Sequence, residues 1–378
     1  KPAIENEGIG TTATLLNTSN NLYMQDVTLQ NALEYYKSGS AGRAVCLQDR
    51  GTQTICKNVK MLSYQDTYYS NEPNGKGQFY FEDSEIHGTV DYVCGGGDVY
   101  FNRVLFVNES RKEGEKNGED VIAAPNSKSE WGYIFKDCTI ENKAANFSLG
   151  RSWNNITRLT WLNTTVNQKD EILNDDKKYA YFTINAMGDA MADKFRLDVL
   201  KDAEGNVFSP AEKKVIFKNS GTTQQKAEEN IILTAEEAAT YTLDAVFGDW
   251  KPEAKAAQAT ATVTTLKDGK LSWTGDAKMY LVAKDGKFYT LTTENSLTVN
   301  DNKASFTVRA ANDMGGFGTA NGTVSTGINS TMATEATAIK TAIFAADGTQ
   351  LSNLQKGINI IVKTFKDGSK KTSKVIVK

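Results

Sequence analysis

The sequence predicts an all-β protein, a right-handed parallel β-helix followed by a small antiparallel β-sandwich-like region. Three observations lead there: a repeated strand signature in the first half, no long helical stretch between its copies, and Asp-Gly hairpin signals in the second half. Six segments share an apolar residue, any residue, Asn or Asp (once Arg), two residues, then another apolar one. They read LYMQDVTLQN from Leu22, TICKNVKMLS from Thr54, FYFEDSEIHG from Phe79, VYFNRVLFVN from Val99, YIFKDCTIEN from Tyr133 and LTWLNTTVNQ from Leu159, with starts 20 to 34 residues apart. Each is strand-like, with β-branched and aromatic residues alternating around polar ones. No helical stretch of ten or more residues separates them, which argues against β-α-β units. Short strands recurring at one coil's spacing suggest stacked coils instead. The Asn and Asp positions then fall at bends, where their side chains are expected to satisfy turn backbone. A β-sandwich is the competing reading of the same pattern.

The repeat fades past about Gln168, and a short helix is expected over Thr234–Tyr241, with Glu236 and Glu237 in its first turn. Pro252 and an Ala/Lys run then mark a domain end, giving expected domains of residues 1–255, 256–325 and 326–378. Asp285-Gly286, between KMYLVAK and KFYTL, signals a hairpin. Residues 256–325 resemble a fibronectin type III or immunoglobulin-like sandwich. The last segment, with two more Asp-Gly turns, is similar to C-terminal sorting domains of some secreted bacterial enzymes, or supplies strands that complete the sandwich.

Composition narrows the chemistry. The 378 residues carry a net charge of −3, which gives no basic surface for nucleic acid. No run of about 18 apolar residues is present to span a membrane. Four well-separated cysteines, Cys46, Cys56, Cys94 and Cys138, lack metal-type pairing and read as buried thiols rather than disulfides. The single histidine, His87, rules out a multi-histidine metal site, and a Ser-His-Asp triad would have to use it. The chain starts at Lys1 with no apolar leader segment, so a leader says nothing about localisation.

Three stretches carry polar residues that the scaffold does not need: SYQDTYYS with Gln65 and Asp66, GTVDYVCGGG with Asp91, and SLGRSW with Arg151 and Trp153. Asp66 and Asp91 are 25 residues apart, close to one coil. Equivalent positions of adjacent coils stack about 4.8 Å apart, so the two carboxylates can face each other. Like charges that close leave one acid and one carboxylate at neutral pH, as general acid–base and nucleophilic chemistry require. Arg151, two coils later, could hold the ionised partner by a bidentate pair. Read singly, Asp66 is a turn residue, Asp91 a bend cap, Arg151 a structural ion pair and Trp153 a core residue.

In order and spacing, YQDTYY, IHGTVDYVCGGG and LGRSW resemble the signature blocks of the pectin methylesterases, over roughly residues 11–250. The resemblance implies hydrolysis of methyl esters on polygalacturonate (pectin, homogalacturonan) by a secreted, periplasmic or cell-surface enzyme acting as a monomer. It implies Asp91 as nucleophile, Asp66 as acid and then base, Gln65 at the oxyanion, Arg151 orienting Asp91 and Trp153 packing on a sugar ring. Arg43, Tyr68 and Tyr69 join Trp153 as expected substrate contacts, and no metal or cofactor is implied.

Three departures from the family pattern stand out. Arg43 occupies the place of a Gln that lends an oxyanion contact, and Cys94-Gly95-Gly96-Gly97 replaces the usual Phe-Gly-Asn-Ala. The family's opening coil is missing, so the chain is expected to begin inside the β-helix and to be a fragment. Rival readings are weaker. Polygalacturonases carry a Gly-His-Gly block that is absent here, and pectate lyases a calcium-binding acidic cluster. A two-carboxylate glycosidase needs a fixed carboxylate separation. A non-catalytic carbohydrate-binding β-helix would use Tyr68, Tyr69, Trp131 and Trp153 as sugar platforms.

Overall fold

The computed structural model describes residues 8–33, 42–173, 178–179, 181–183, 191–209, 214–216, 228–301, 304–320, 340–345, 349–364 and 370–377. They form two compact units, residues 1–258 with 311–317, and residues 259–310 with 318–378.

The first unit is the parallel β-helix that the repeat predicted. Its three sheets hold six, seven and seven described strands, and through the first six coils each sheet takes every third strand of the chain. The first sheet runs from Leu15–Asn17 through Leu47–Asp49, Tyr68–Ser70, Val90–Gly95 and Glu119–Pro125 to Asn146–Gly150. Each signature segment supplies a strand of the second sheet, a turn of one or two residues that begins at the Asn/Asp position, then a strand of the third. Phe79–Asp83–His87, for instance, spans Gln78–Glu82 and Glu85–Gly88. Parallel crossovers of this kind take the right-handed sense.

The Asn/Asp column has one backbone conformation. Asp26, Asn58, Asp83, Arg103, Asp137 and Asn163 all have positive φ, between 49° and 56°. Asn and Asp tolerate this left-handed region better than other residues with a side chain, which explains the repeat position. The bends differ from expectation in how they are satisfied. The turn N–H groups of Asp26, Asn58, Asp83, Arg103 and Asp137 donate to carbonyls of the next coil, at 2.9–3.2 Å. The side chains pair with each other up the column, Asn58 Nδ2 donating to Asp26 Oδ1 at 2.6 Å and Arg103 Nε to Asp83 Oδ1 at 2.8 Å. This accounts for the one Arg in the series: its fork reaches the carboxylate one coil away.

Inside, identical repeat positions stack. Phe81, Phe101, Phe135 and Trp161 form a continuous column with ring centroids 4.9, 4.7 and 3.8 Å apart. Ile86, Phe106, Ile140 and Val166 repeat this on the third sheet. All four cysteines are free and buried. The fading of the repeat past Gln168 hides one more coil: Met191–Leu197 pairs with Ile156–Leu162, and Leu200–Lys201 with Thr164–Val166. The register puts Val199 where Asn163 stands one coil earlier, and Val199 is not among the left-handed positions, so the Asn/Asp signature is lost while the ladder continues.

The expected helix over Thr234–Tyr241 is Ala235–Ala238, started by a capping box in which Thr234 Oγ1 accepts from the N–H of Glu237 and the Glu237 carboxylate accepts from the N–H of Thr234. It is followed by Leu243–Phe247 and Pro252–Ala256. Val246, Phe247 and Trp250 cover the outer face of the second sheet, on Ile55, Tyr80, Tyr100 and Ile134.

The second unit is antiparallel. Two three-stranded sheets share a core around Leu271, Trp273, Tyr280, Val282 and Phe306. The hairpin at Asp285-Gly286 has φ of 51° and 75°, as a type I′ turn requires. A four-stranded sheet follows over Lys340–Val377. The Asp-Gly turns expected at 347–348 and 367–368 lie outside the described residues.

Replacing Phe135, which stacks between Phe101 and Trp161, with Ala should destabilise the protein by about 3–5 kcal/mol in urea unfolding. A loss under 1 kcal/mol would mean that the column is not the core.

Candidate active site

Asp66 and Asp91 sit at equivalent points of neighbouring coils. The first sheet pairs Tyr68 with Val93 and Tyr69 with Cys94, and the N–H of Asp66 donates to the Val90 carbonyl at 3.2 Å. Both aspartates are left-handed, with φ of 60° and 51°. Val90 pairs with Val121 but Val93 with Ala123, so two residues oppose one and the ladder bulges at Asp91. Bulges of this kind re-aim a side chain out of the sheet's alternation.

Arg151 follows the strand Asn146–Gly150, and its N–H donates to the Ala123 carbonyl at 2.9 Å. Its guanidinium grips Asp91 with two bonds, Nε to Oδ1 at 2.8 Å and Nη2 to Oδ2 at 2.7 Å. Both side chains are largely buried. Asp66 is 5% exposed. The Cys94 thiol donates to its Oδ1 at 3.9 Å, and Arg43 Nε lies 4.0 Å from its Oδ2. Burial pushes the Asp66 carboxyl well above the usual range, and the charge of Asp91 adds to this; Arg43, Cys94 and Arg151 oppose the rise without reversing it. The arrangement therefore favours the protonated form of Asp66 beside an Asp91 whose two oxygens Arg151 holds.

Tyr69 and Trp153 lie beside this pair, ring centroids 6.1 Å apart, on a patch of Val45, Cys94 and Ala124. Burial raises the Tyr69 hydroxyl to about 12. Gln65 is half-buried and forms a parallel bridge with Arg43. Tyr68 does not join them, which corrects its expected substrate contact. Alternation along Tyr68–Ser70 turns Tyr68 into the core, where its ring meets Phe81 edge-on at 4.7 Å, while Tyr69 faces out. The Tyr-Tyr pair reads alike in sequence, and only strand register separates its members.

Sequence reasoning missed the contact of Cys94 with Asp66; the signal was its place one coil above Tyr69 and three residues after Asp91. The glycines behind it are a close-approach device. Gly95 has φ of 111°, and a Cβ there would lie 1.9 Å from the Ser70 carbonyl oxygen. His87 stands on the third sheet, its ring nitrogens 2.6 Å from Glu109 and 2.5 Å from Glu85, so both are taken up by carboxylates. Among the described residues, no group of three His, Cys, Asp or Glu could hold a metal ion.

The raised Asp66 has a thermodynamic consequence. An aspartate titrates near 3.9 when unfolded. Above that pH the unfolded chain loses this proton while the folded one keeps it, so the Asp66 contribution to stability falls as pH rises towards the folded pKa. Asp66→Asn should therefore stabilise the protein at pH 7, with the gain vanishing near pH 4. Equal urea midpoints for the two proteins at pH 7 would contradict the buried-acid assignment.

Comparison with known proteins bears on the same residues. Residues 3–174 match the family model described as Pectinesterase. "Pectinesterase B" of Pectobacterium parmentieri is 30% identical over 165 residues, covering 39% of this chain and 40% of that protein. "Pectinesterase B" of Dickeya dadantii (strain 3937) is 30% identical over 156 residues, covering 37% and 35%. The chain thus spans well under half the length of these two relatives. Among solved structures, the pectin methylesterase PemA from Erwinia chrysanthemi aligns at 22% identity with a TM-score of 0.49, covering 66% of this chain and 79% of that one. The stretch that matches the pectinesterase family, residues 3–174, is the one that contains Gln65, Asp66, Asp91 and Arg151.

Proposed function

We propose that the chain hydrolyses methyl esters of polygalacturonate, releasing methanol and leaving free carboxylates on the polymer. The observation that carries this reading is the buried Asp66 acid beside an Asp91 carboxylate gripped at both oxygens by Arg151. The match of residues 3–174 to the pectinesterase family supports it.

In the proposed reaction an Asp91 oxygen attacks the ester carbonyl carbon, and the carbonyl electrons move onto its oxygen. Gln65 stabilises that oxyanion, and Arg43 adds a positive charge on the same side. As the tetrahedral intermediate collapses, the C–OCH3 bond breaks and Asp66 gives its proton to the departing methoxide. An acyl anhydride on Asp91 and free methanol result. Asp66, now a carboxylate, takes a proton from water, and the hydroxide attacks the acyl carbon and releases Asp91. Arg151 keeps Asp91 in one rotamer throughout, so the same oxygen leaves that attacked. Trp153 and Tyr69 offer an aromatic wall to a sugar ring.

No group in this scheme requires a metal or a cofactor. The reading also implies a chain that works as a monomer where plant-type polysaccharide is found, so secreted, periplasmic or on the cell surface. Among the described residues no helix is long and apolar enough to cross a membrane.

Methanol release from highly methylated pectin tests the reading. The parent protein should release it, Asp91→Asn should lose at least about 10³-fold, and Asp66→Asn about 10²–10⁴-fold, the range of a general acid. A parent that releases no methanol sinks the esterase reading, and full activity in Asp91→Asn sinks the nucleophile. Arg43→Gln should move the alkaline limb of the pH–rate profile upward, because a charge that lowers the Asp66 pKa is removed; a downward shift would contradict this role.

A further inference from the structure

The first unit carries a second constellation of charge and aromatic surface on a different sheet from Asp66 and Asp91. In the last two coils of the second sheet, Leu159, Trp161, Phe195 and Leu197 are buried in the core. Alternation then turns Arg158, Thr160, Lys194 and Arg196 outward, with Arg158 opposite Lys194 and Thr160 opposite Arg196. Trp131 and Tyr241 stand beside these cations, their rings edge-to-face at 5.5 Å. Together with Glu130 these residues line an open pocket of about 390 Å³.

Three cations, Arg158, Lys194 and Arg196, and one carboxylate, Glu130, line this cavity. The volume falls within the range of small-ligand sites, about 300–1,000 Å³. Guanidinium forks match carboxylates in two-bond geometry, and an aromatic wall suits the C–H face of a sugar ring. We propose that this cavity binds a carboxylated sugar, a short uronate stretch of de-esterified polymer, as a site separate from the one that carries the aspartates. The identity of the sugar rests on the proposed esterase function, whose product bears one free carboxylate per hydrolysed ester. A site that prefers product on the back of the coil would hold the enzyme on polymer it has already processed.

The test uses the full chain and trigalacturonate, titrated by calorimetry. Trp153→Ala weakens the groove beside the aspartates, so the binding that persists in this variant reports the second cavity. Adding Arg158→Ala and Arg196→Ala should weaken that remaining event at least tenfold. The Arg158→Ala/Arg196→Ala protein without the Trp153 change should keep methanol release within twofold of the parent. Uncharged trigalactose should not bind at the cavity. If the double variant misfolds by circular dichroism, Arg158→Gln alone and Trp131→Ala, each expected to weaken binding, take its place. Titration curves unchanged by these substitutions overturn the proposal. Inorganic phosphate that competes as well as trigalacturonate overturns the sugar assignment in favour of a general anion site. The two readings fail separately: trigalacturonate binding at the cavity without methanol release removes only the esterase, and methanol release without such binding removes only this site.

Discussion

Between the second-sheet and third-sheet strands of six coils the chain changes direction without interrupting the hydrogen-bond ladder to its neighbours. One residue in the left-handed conformation accomplishes this, and its N–H still reaches the next coil. Coil geometry is therefore set by a backbone preference that few residue types tolerate, and the rest follows from stacking. Equal turns keep equal positions in register, so Phe81, Phe101, Phe135 and Trp161 meet ring on ring, the first pair tilted and the other two stacked, and bury a continuous column. The same regularity lets a carboxylate in one coil find an amide or guanidinium in the next.

The candidate site uses this device out of place. Asp66 and Asp91 are also left-handed, but they lie on the two central strands of the first sheet or just before them, and the bulge at Asp91 interrupts the alternation that the turns elsewhere preserve. Placing two acids at matching points of adjacent coils, away from water, disfavours charge on one of them. Arg151 fills both oxygens of Asp91, and burial of Asp66 favours its protonated form. The electrostatic penalty is thus stored at two residues, while the surrounding ladder supplies the rigidity that keeps them together.

Much of this was legible in the chain itself. Six copies of one strand signature specified stacked coils, and the 25-residue interval between Asp66 and Asp91 placed them on neighbours, because a repeat converts sequence distance into spatial position. Legibility ended where position depends on register. Tyr68 and Tyr69 cannot be told apart without knowing which faces the core. The last coil escaped because Val199, neither Asn nor Asp, holds its turn position, and that residue is not left-handed. The contact of Cys94 with Asp66, and the cluster of Arg158, Lys194 and Arg196 with Trp131 and Tyr241, join residues that only the assembled sheets bring together.

The four buried thiols bear on how this chain behaves once it is unfolded. Folded, Cys46, Cys56, Cys94 and Cys138 are sealed from solvent, and burial raises their pKa values above the ordinary thiol range. They are poor nucleophiles in that state. Opening the coils releases them together, as ordinary thiols, into whatever surrounds the protein. In an oxidising medium they would cross-link at random, so a reversible transition becomes a one-way loss. Durability outside a cell would then be governed by how slowly the coils open, a rate rather than an equilibrium.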